Sequence, residues 1–85
     1  MSTTHIPYKL KKWIKEQYFD KINWNVLSEN PNAIHLLEIN PENINWFNLS
    51  KNPNAIHLLE KNLEKIDWDW LSTNPSIFDI DYTLK

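Results

Sequence analysis

Apolar and polar residues along this chain return in the same order every 22 residues. Trp24, Trp46 and Trp68 are each followed three residues later by a leucine and six residues later by Asn-Pro, at 30–31, 52–53 and 74–75. The nine letters N-P-N-A-I-H-L-L-E are identical at 30–38 and 52–60. Self-similarity at this period marks stacked supersecondary units, each too small to bury its apolar face alone.

Within the unit 44–65, Asn45 precedes the tryptophan as an N-cap, as do Asn23 and Asp67 in their units. The spacing predicts a first helix of about five or six residues, with Trp46 and Leu49 on one face, α-helical or 3₁₀ in form. It stops before Asn-Pro because a residue preceding proline is pushed out of the helical region. A second helix is predicted to start with Asn52 as N-cap and Pro53 in the first helical position, burying Ala55, Ile56, Leu58 and Leu59. Asn40 and Asn62 end these helices. Pro41 reinforces the first stop, and Leu63 in its place predicts a slightly longer second helix. Ile22, Ile44 and Ile66 pin the connections to the core.

The ends depart from this consensus. Leu10, Trp13, Ile14, Gln17 and Tyr18 follow an i, i+3, i+4, i+7, i+8 pattern, which predicts an amphipathic cap helix over 9–19, entered through Pro7. At the other end the motif becomes N-P-S-I-F-D-I-D-Y, keeping Ile77, Phe78, Ile80 and Tyr82 but adding two acids. The expected fold is all-α: a short α-solenoid of 22-residue two-helix repeats with capping units at both ends. It divides into a flexible start (1–6), a cap helix (7–21), repeats at 22–43 and 44–65, and a capping repeat (66–85), with both ends expected to be complete.

Composition narrows the means of stabilisation. A chain of 85 residues without cysteine has no disulfide staple, so five Trp, three Phe and three Tyr must supply the core. With no glycine, Asn and Pro take the turns. Neither a signal peptide nor an apolar run of membrane-spanning length is present, so the chain is expected to be intracellular, not secreted and not membrane-bound. The sequon Asn48-Leu49-Ser50 is then a coincidence of an Asn-rich chain.

The string W-x-x-L-S-x-N-P-N-A-I-x-L-L-E, at Trp24–Glu38 and Trp46–Glu60, resembles the short tandem repeats of uncharacterised giant DNA virus proteins. The closing N-P-S-I-F-D-I-D-Y is similar to their C-terminal unit, so the resemblance spans about 6–85. It implies a viral or virus-derived α-helical repeat protein and brings no established catalytic residues. The regularity equally suits a shortened or consensus-engineered member.

No constellation for catalysis is visible. Ser28, Ser50 and Ser72 recur in every unit without an activating His–acid pair, and repetition points to satisfaction of the backbone. Glycine-rich phosphate loops and cysteine chemistry are excluded by composition, so the chain is expected not to be an enzyme and to hold no cofactor. His35 and His57 occupy one repeat position, continued by Asp79, about 10 Å apart if the helices stack. Shared coordination needs zinc–nitrogen bonds of about 2 Å, so no metal site is expected. His5 is too remote in sequence to change that. The residue three positions on, Glu38 or Glu60, suggests a surface His–Glu pair instead.

The tryptophan row Trp24, Trp46 and Trp68 is expected in the core, whereas Trp70 replaces Val26 and Asn48 and either is an exposed anchor for a partner or covers the C-terminal end of the core. Variable positions of the first helices mark the candidate partner surface: Asn25, Val26 and Glu29, then Phe47, Asn48 and Lys51, then Asp69, Trp70 and Thr73. The function expected is a non-catalytic scaffold for an unidentified protein partner. The first alternative is head-to-tail self-assembly, since the first 21 residues are basic and the last repeat is acidic. A net charge of −2 argues against a nucleic-acid surface, leaving only the cap helix, with Lys9, Lys11, Lys12, Lys15 and Trp13, to touch phosphates.

Overall fold

The computed structural model describes residues 8–83. The expected flexible start at 1–6, the entry through Pro7, His5 and the last two residues of the capping repeat lie outside them. Within them the protein is all-α and contains no strand. Its α-helices are α1 (Lys12–Gln17), α2 (Trp24–Leu27), α3 (Ile34–Glu38), α4 (Trp46–Leu49), α5 (Ile56–Glu60) and α6 (Trp68–Leu71), joined by 3₁₀ and other turns.

Local side chains set these short lengths. Asn23, Asn45 and Asp67 accept hydrogen bonds from first-turn amides and start α2, α4 and α6. At the other end Ser28, Ser50 and Ser72 donate their hydroxyls to the carbonyls of Trp24, Trp46 and Trp68, at 2.8, 2.8 and 2.9 Å. A cap at one end and a hydroxyl turning back at the other leave four helical residues, fewer than the spacing predicted.

The second helices also start later than expected. Asn30 and Asn52 each accept from the amide two residues on, at 2.9 and 3.0 Å, tying the Asn-Pro step into a tight turn. Ala33 and Ala55, at φ −92°, ψ 3° and φ −101°, ψ 7°, still lie outside helical geometry, so α3 and α5 begin at Ile34 and Ile56. Both have five residues, and Leu63 does not prolong α5. The reason is that Asn40 and Asn62 donate their amides to the carbonyls of Leu36 and Leu58. The asparagine, not the proline after it, stops the helix. Similar 3₁₀ turns come next, at Pro41–Asn43 and Leu63–Lys65.

Helix α1 is shorter than the predicted 9–19, with Leu10 before it and Tyr18 as its C-cap. It begins 22 residues before α3, so it is the second half of a preceding unit. Lys12 and Lys15 stand where Ile34 and Leu37 stand in α3, and they keep α1 free of buried residues. Trp13, expected on the inward stripe, is 59% exposed and meets Tyr18 edge-on at 5.8 Å.

The buried core consists of Ala33, Ile34, Leu37, Leu49, Ala55 and Leu59, with Trp24, Leu27, Ile44, Trp46, Ile56, Leu58, Ile66 and Leu71 packed against it. Burying each large aliphatic side chain stabilises by about 1.5–3 kcal/mol. Every buried side-chain nitrogen and oxygen among the described residues has a hydrogen-bond partner.

Those partners join equivalent residues of successive units. The Asn52 side-chain amide donates to the carbonyls of Ser28 and Asn30, both at 2.9 Å. One unit later Asn74 donates to Ser50 and Asn52, at 3.1 and 2.9 Å. Ser28 and Ser50 accept in turn from the backbone amides of Asn45 and Asp67, both at 3.0 Å. Asparagine therefore reaches to the unit before, and serine receives from the unit after. Burial runs in the same direction: Ser28, Ser50, Asn52 and Asn74 are buried, whereas Asn30 and Ser72, at the two ends, are not.

The third unit starts like the others but does not finish like them. After the 3₁₀ turn Pro75–Ile77 the chain extends, with Phe78 at φ −103°, ψ 139°, where the register places a second helix. Two features of the sequence account for this. Ile77 replaces Ala33 and Ala55, which are 7% and 0% exposed and leave no volume for a branched side chain. Phe78, Asp79, Ile80, Asp81 and Tyr82 also alternate apolar and polar residues, which is an extended pattern rather than a helical one. The four apolar residues expected to close the fold, Ile77, Phe78, Ile80 and Tyr82, are accordingly exposed.

Candidate interaction surface

Of the nine variable positions on and just after the first helices, most are joined to each other or to a neighbouring unit. Asn45 donates its side-chain amide to Asn25 Oδ1 at 3.1 Å, and Asn48 donates to the Asn25 carbonyl. Glu29 and Lys51 form an ion pair at 3.1 Å. Lys51 Nζ also lies 4.4 Å from the centre of the Trp70 ring, whose other neighbour is Phe47, edge-on at 5.2 Å. Thr73 donates its hydroxyl to the Trp70 carbonyl at 2.6 Å. Glu29, Lys51 and Trp70 thus form a chain across three units, and its solvent-side ion pair adds at most about 1 kcal/mol.

Of the two readings of Trp70, the fully exposed anchor does not hold. Trp70 is half-buried, held between Phe47 and Lys51 of the preceding unit. Trp68, expected in the core, is 60% exposed, whereas Trp24 and Trp46 pack against the core as predicted. Trp24 and Trp46 each have a partner over the ring, from the preceding segment in one case and from the end of the same unit in the other. Lys65 lies 5.2 Å from the centre of the Trp46 ring and Phe19 meets Trp24 edge-on at 5.7 Å. No ring or cation stacks on Trp68 among the described residues.

The open positions on the variable face are Val26, 62% exposed, with Asn25, Phe47 and Asp69. Val26 also lines a shallow hollow with Ile22, Asn23, Leu27, Glu29 and Asn30. Lys9, Lys11, Lys12 and Lys15 are all exposed around α1. Lys9 and Lys15 border an apolar hollow between the cap and α3, together with Leu10, His35, Leu36 and Ile39.

The histidines pair differently from expectation. His57 Nε2 lies 2.9 Å from Glu38 Oε2, so the contact crosses from one unit to the one before, 19 residues away, instead of closing within α5 on Glu60. A tertiary contact between the ends of α3 and α5 thus outweighs proximity along the sequence. The third member of the row, Asp79, lies in the extended segment. Among the described residues no three His, Asp or Glu side chains converge as a metal site would require. The recurring serines and asparagines are engaged with the backbone in each unit.

Comparison with protein-family models, curated proteins and solved structures finds no significant match. Among the described residues no helix is long and apolar enough to cross a membrane.

Sequence reasoning missed two features. The serine and asparagine rungs were legible as repeated polar letters, but their partners are 17 to 24 residues away. The apolar C-terminal face was legible in the alternation at 78–82, which weakens the helix that would cover it.

Proposed function

We propose that this chain is a non-catalytic helical-repeat scaffold, a short α-solenoid that presents equivalent positions of successive units to a protein partner. The observation that carries this reading is the directional ladder in which Asn52 and Asn74 donate to the carbonyls of the preceding unit. Buried amide bonds of this kind hold neighbouring units in one register, because a slipped register leaves buried carbonyls unpaired. A fixed register makes one continuous face of side chains that lie far apart in sequence. Val26, Phe47 and Asp69 are the open members of that face, and Trp70 supports it from beneath. The resemblance of the repeats to those of giant-virus proteins accords with a viral interaction module.

The test is site-specific photocrosslinking in the cell of origin. A photoreactive residue at Val26, Phe47 or Asp69 is expected to capture the same discrete partner, and the same probe at exposed Glu42, outside this face, is not. Equal capture from Glu42 would remove the face from the proposal.

A further inference from the structure

The two ends of the molecule are unlike each other and complementary. At the C-terminal end Ile56, Leu59, Leu63, Trp68 and Leu71 line an apolar groove of about 250 Å³, with Glu60 and Asp79 at its edge. This is where the register places a second helix for the third unit, and Phe78–Asp81 run past as extended chain instead. Ser72 and Asn74 complete the ladder at this end. In the units before, the equivalent hydroxyl and carbonyls accept from a following unit, as Ser50 does from Asp67 and Asn74. Glu60 and Asp79, both exposed, put negative charge at the groove edge, and among the described residues no lysine lines it.

At the N-terminal end α1 is a lone second helix, with Lys9, Lys11, Lys12 and Lys15 exposed around it. Its Trp13 occupies the repeat position of His57, the residue that faces back toward Glu38 of the preceding unit. Trp13 therefore faces away from its own repeats, 59% exposed, together with Tyr18 at 42%. One end is thus an apolar groove with acids at its edge, and the other presents exposed lysines and aromatic rings around α1.

We infer that the occupant of the C-terminal groove is α1 of a second copy of this chain, so that the molecule associates head to tail. This deepens the scaffold reading and rests on it. In the shared register Trp13 of the incoming copy stands opposite Glu60 as His57 stands opposite Glu38, with its indole N–H available to the carboxylate. Opposite charge at the two ends steers the encounter and disfavours like ends meeting. The contact is heterologous and does not use up either end, so association continues into open chains unless the rotation closes a ring.

The experiment is sedimentation velocity on the full chain over a wide concentration range, with far-UV circular dichroism and a thermal melt on the same samples. At low salt the mean mass is expected to rise with concentration past a dimer. Raising salt from about 50 mM to about 500 mM weakens the association about tenfold. Two charge-reversed variants give the decisive arm. Lys9→Glu with Lys12→Glu reverses two charges at the α1 end, and Asp79→Lys with Asp81→Lys reverses two at the groove end. Each is expected to remain monomeric alone, and an equimolar mixture is expected to associate again. A cooperatively folded chain that stays monomeric at every concentration overturns the inference and leaves the scaffold reading standing. So does a mixture no heavier than its components, or reversed variants that associate like the parent. A chain without helical dichroism and a cooperative melt overturns the scaffold reading itself.

Discussion

The second and third units begin alike and end differently. Both have a capped four-residue helix opened by tryptophan, a serine returning to the helix carbonyl and an asparagine reaching to the unit before. In the second unit Leu49, Ala55 and Leu59 are then almost fully buried. In the third, Leu71 is half-buried, Trp68 is open and Phe78 is 77% exposed. The shared half of the motif is held by local caps and by the preceding unit. The half that differs depends on a helical pattern of apolar residues and on cover from the next unit in the stack. A unit of this kind is therefore defined by its neighbours as much as by its own letters.

One large test of this difference removes the ladder from the middle. Asn52→Ala strands the buried carbonyl of Ser28, removes one of the two donors to the Asn30 carbonyl and loses the cap on Asn54, and is expected to destabilise by about 2–4 kcal/mol. Asn30→Ala, which loses only a cap at an exposed position, is expected to cost about 1 kcal/mol, so urea midpoints of the two variants should separate clearly. Similar losses would show that no ladder operates.

Core truncation compares the same two regions. Leu59→Ala is expected to cost about 2–5 kcal/mol, and Ile80→Ala less than about 0.5 kcal/mol, both read from chemical denaturation of dilute protein. The two late tryptophans give a smaller contrast. Trp70→Ala breaks the contacts with Phe47 and Lys51 and is expected to cost about 1–2 kcal/mol, whereas Trp68→Ala is nearly neutral in the monomer.

A third approach erases the comparison by restoring the helical pattern. Ile77→Ala with Asp79→His and Asp81→Leu is expected to extend a helix over 78–82, raise the far-UV helical signal and shift the emission of Trp68 to shorter wavelength. The gain in stability is about 1 kcal/mol. An unchanged dichroism spectrum would mean that alternation and the size of Ile77 are not what keeps this segment extended. The smallest effect is expected from Glu29→Gln, within about 0.5 kcal/mol and vanishing at high salt, since the Lys51 ion pair is at the surface.

Much of the local structure was legible in single letters, because its causes lie within four residues. Asn23, Asn45 and Asp67 were recognisable as caps from chemistry and position, and the break before each Asn-Pro comes from proline's steric demand. Leu63 misleads because Pro41 looks like the agent of a stop that Asn40 and Asn62 make by themselves. The candidate surface comes from comparing equivalent positions, and seven of its nine residues, all but Val26 and Asp69, contact another of the nine. Whether each was open or occupied was not legible, since Trp70 is covered by residues 19 and 23 positions earlier.

By itself the sequence determined the 22-residue period, the all-helical content, the caps and the breaks, since each depends on short-range backbone geometry that a few side chains impose. Only the tertiary structure decided that serine and asparagine bond from unit to unit, that His57 meets Glu38 and not Glu60, and that Trp68 is open while Trp70 is covered. These outcomes depend on contacts between residues 17 to 24 positions apart, and burial at a repeat position is set by those distant partners, a quantity that no single repeat encodes.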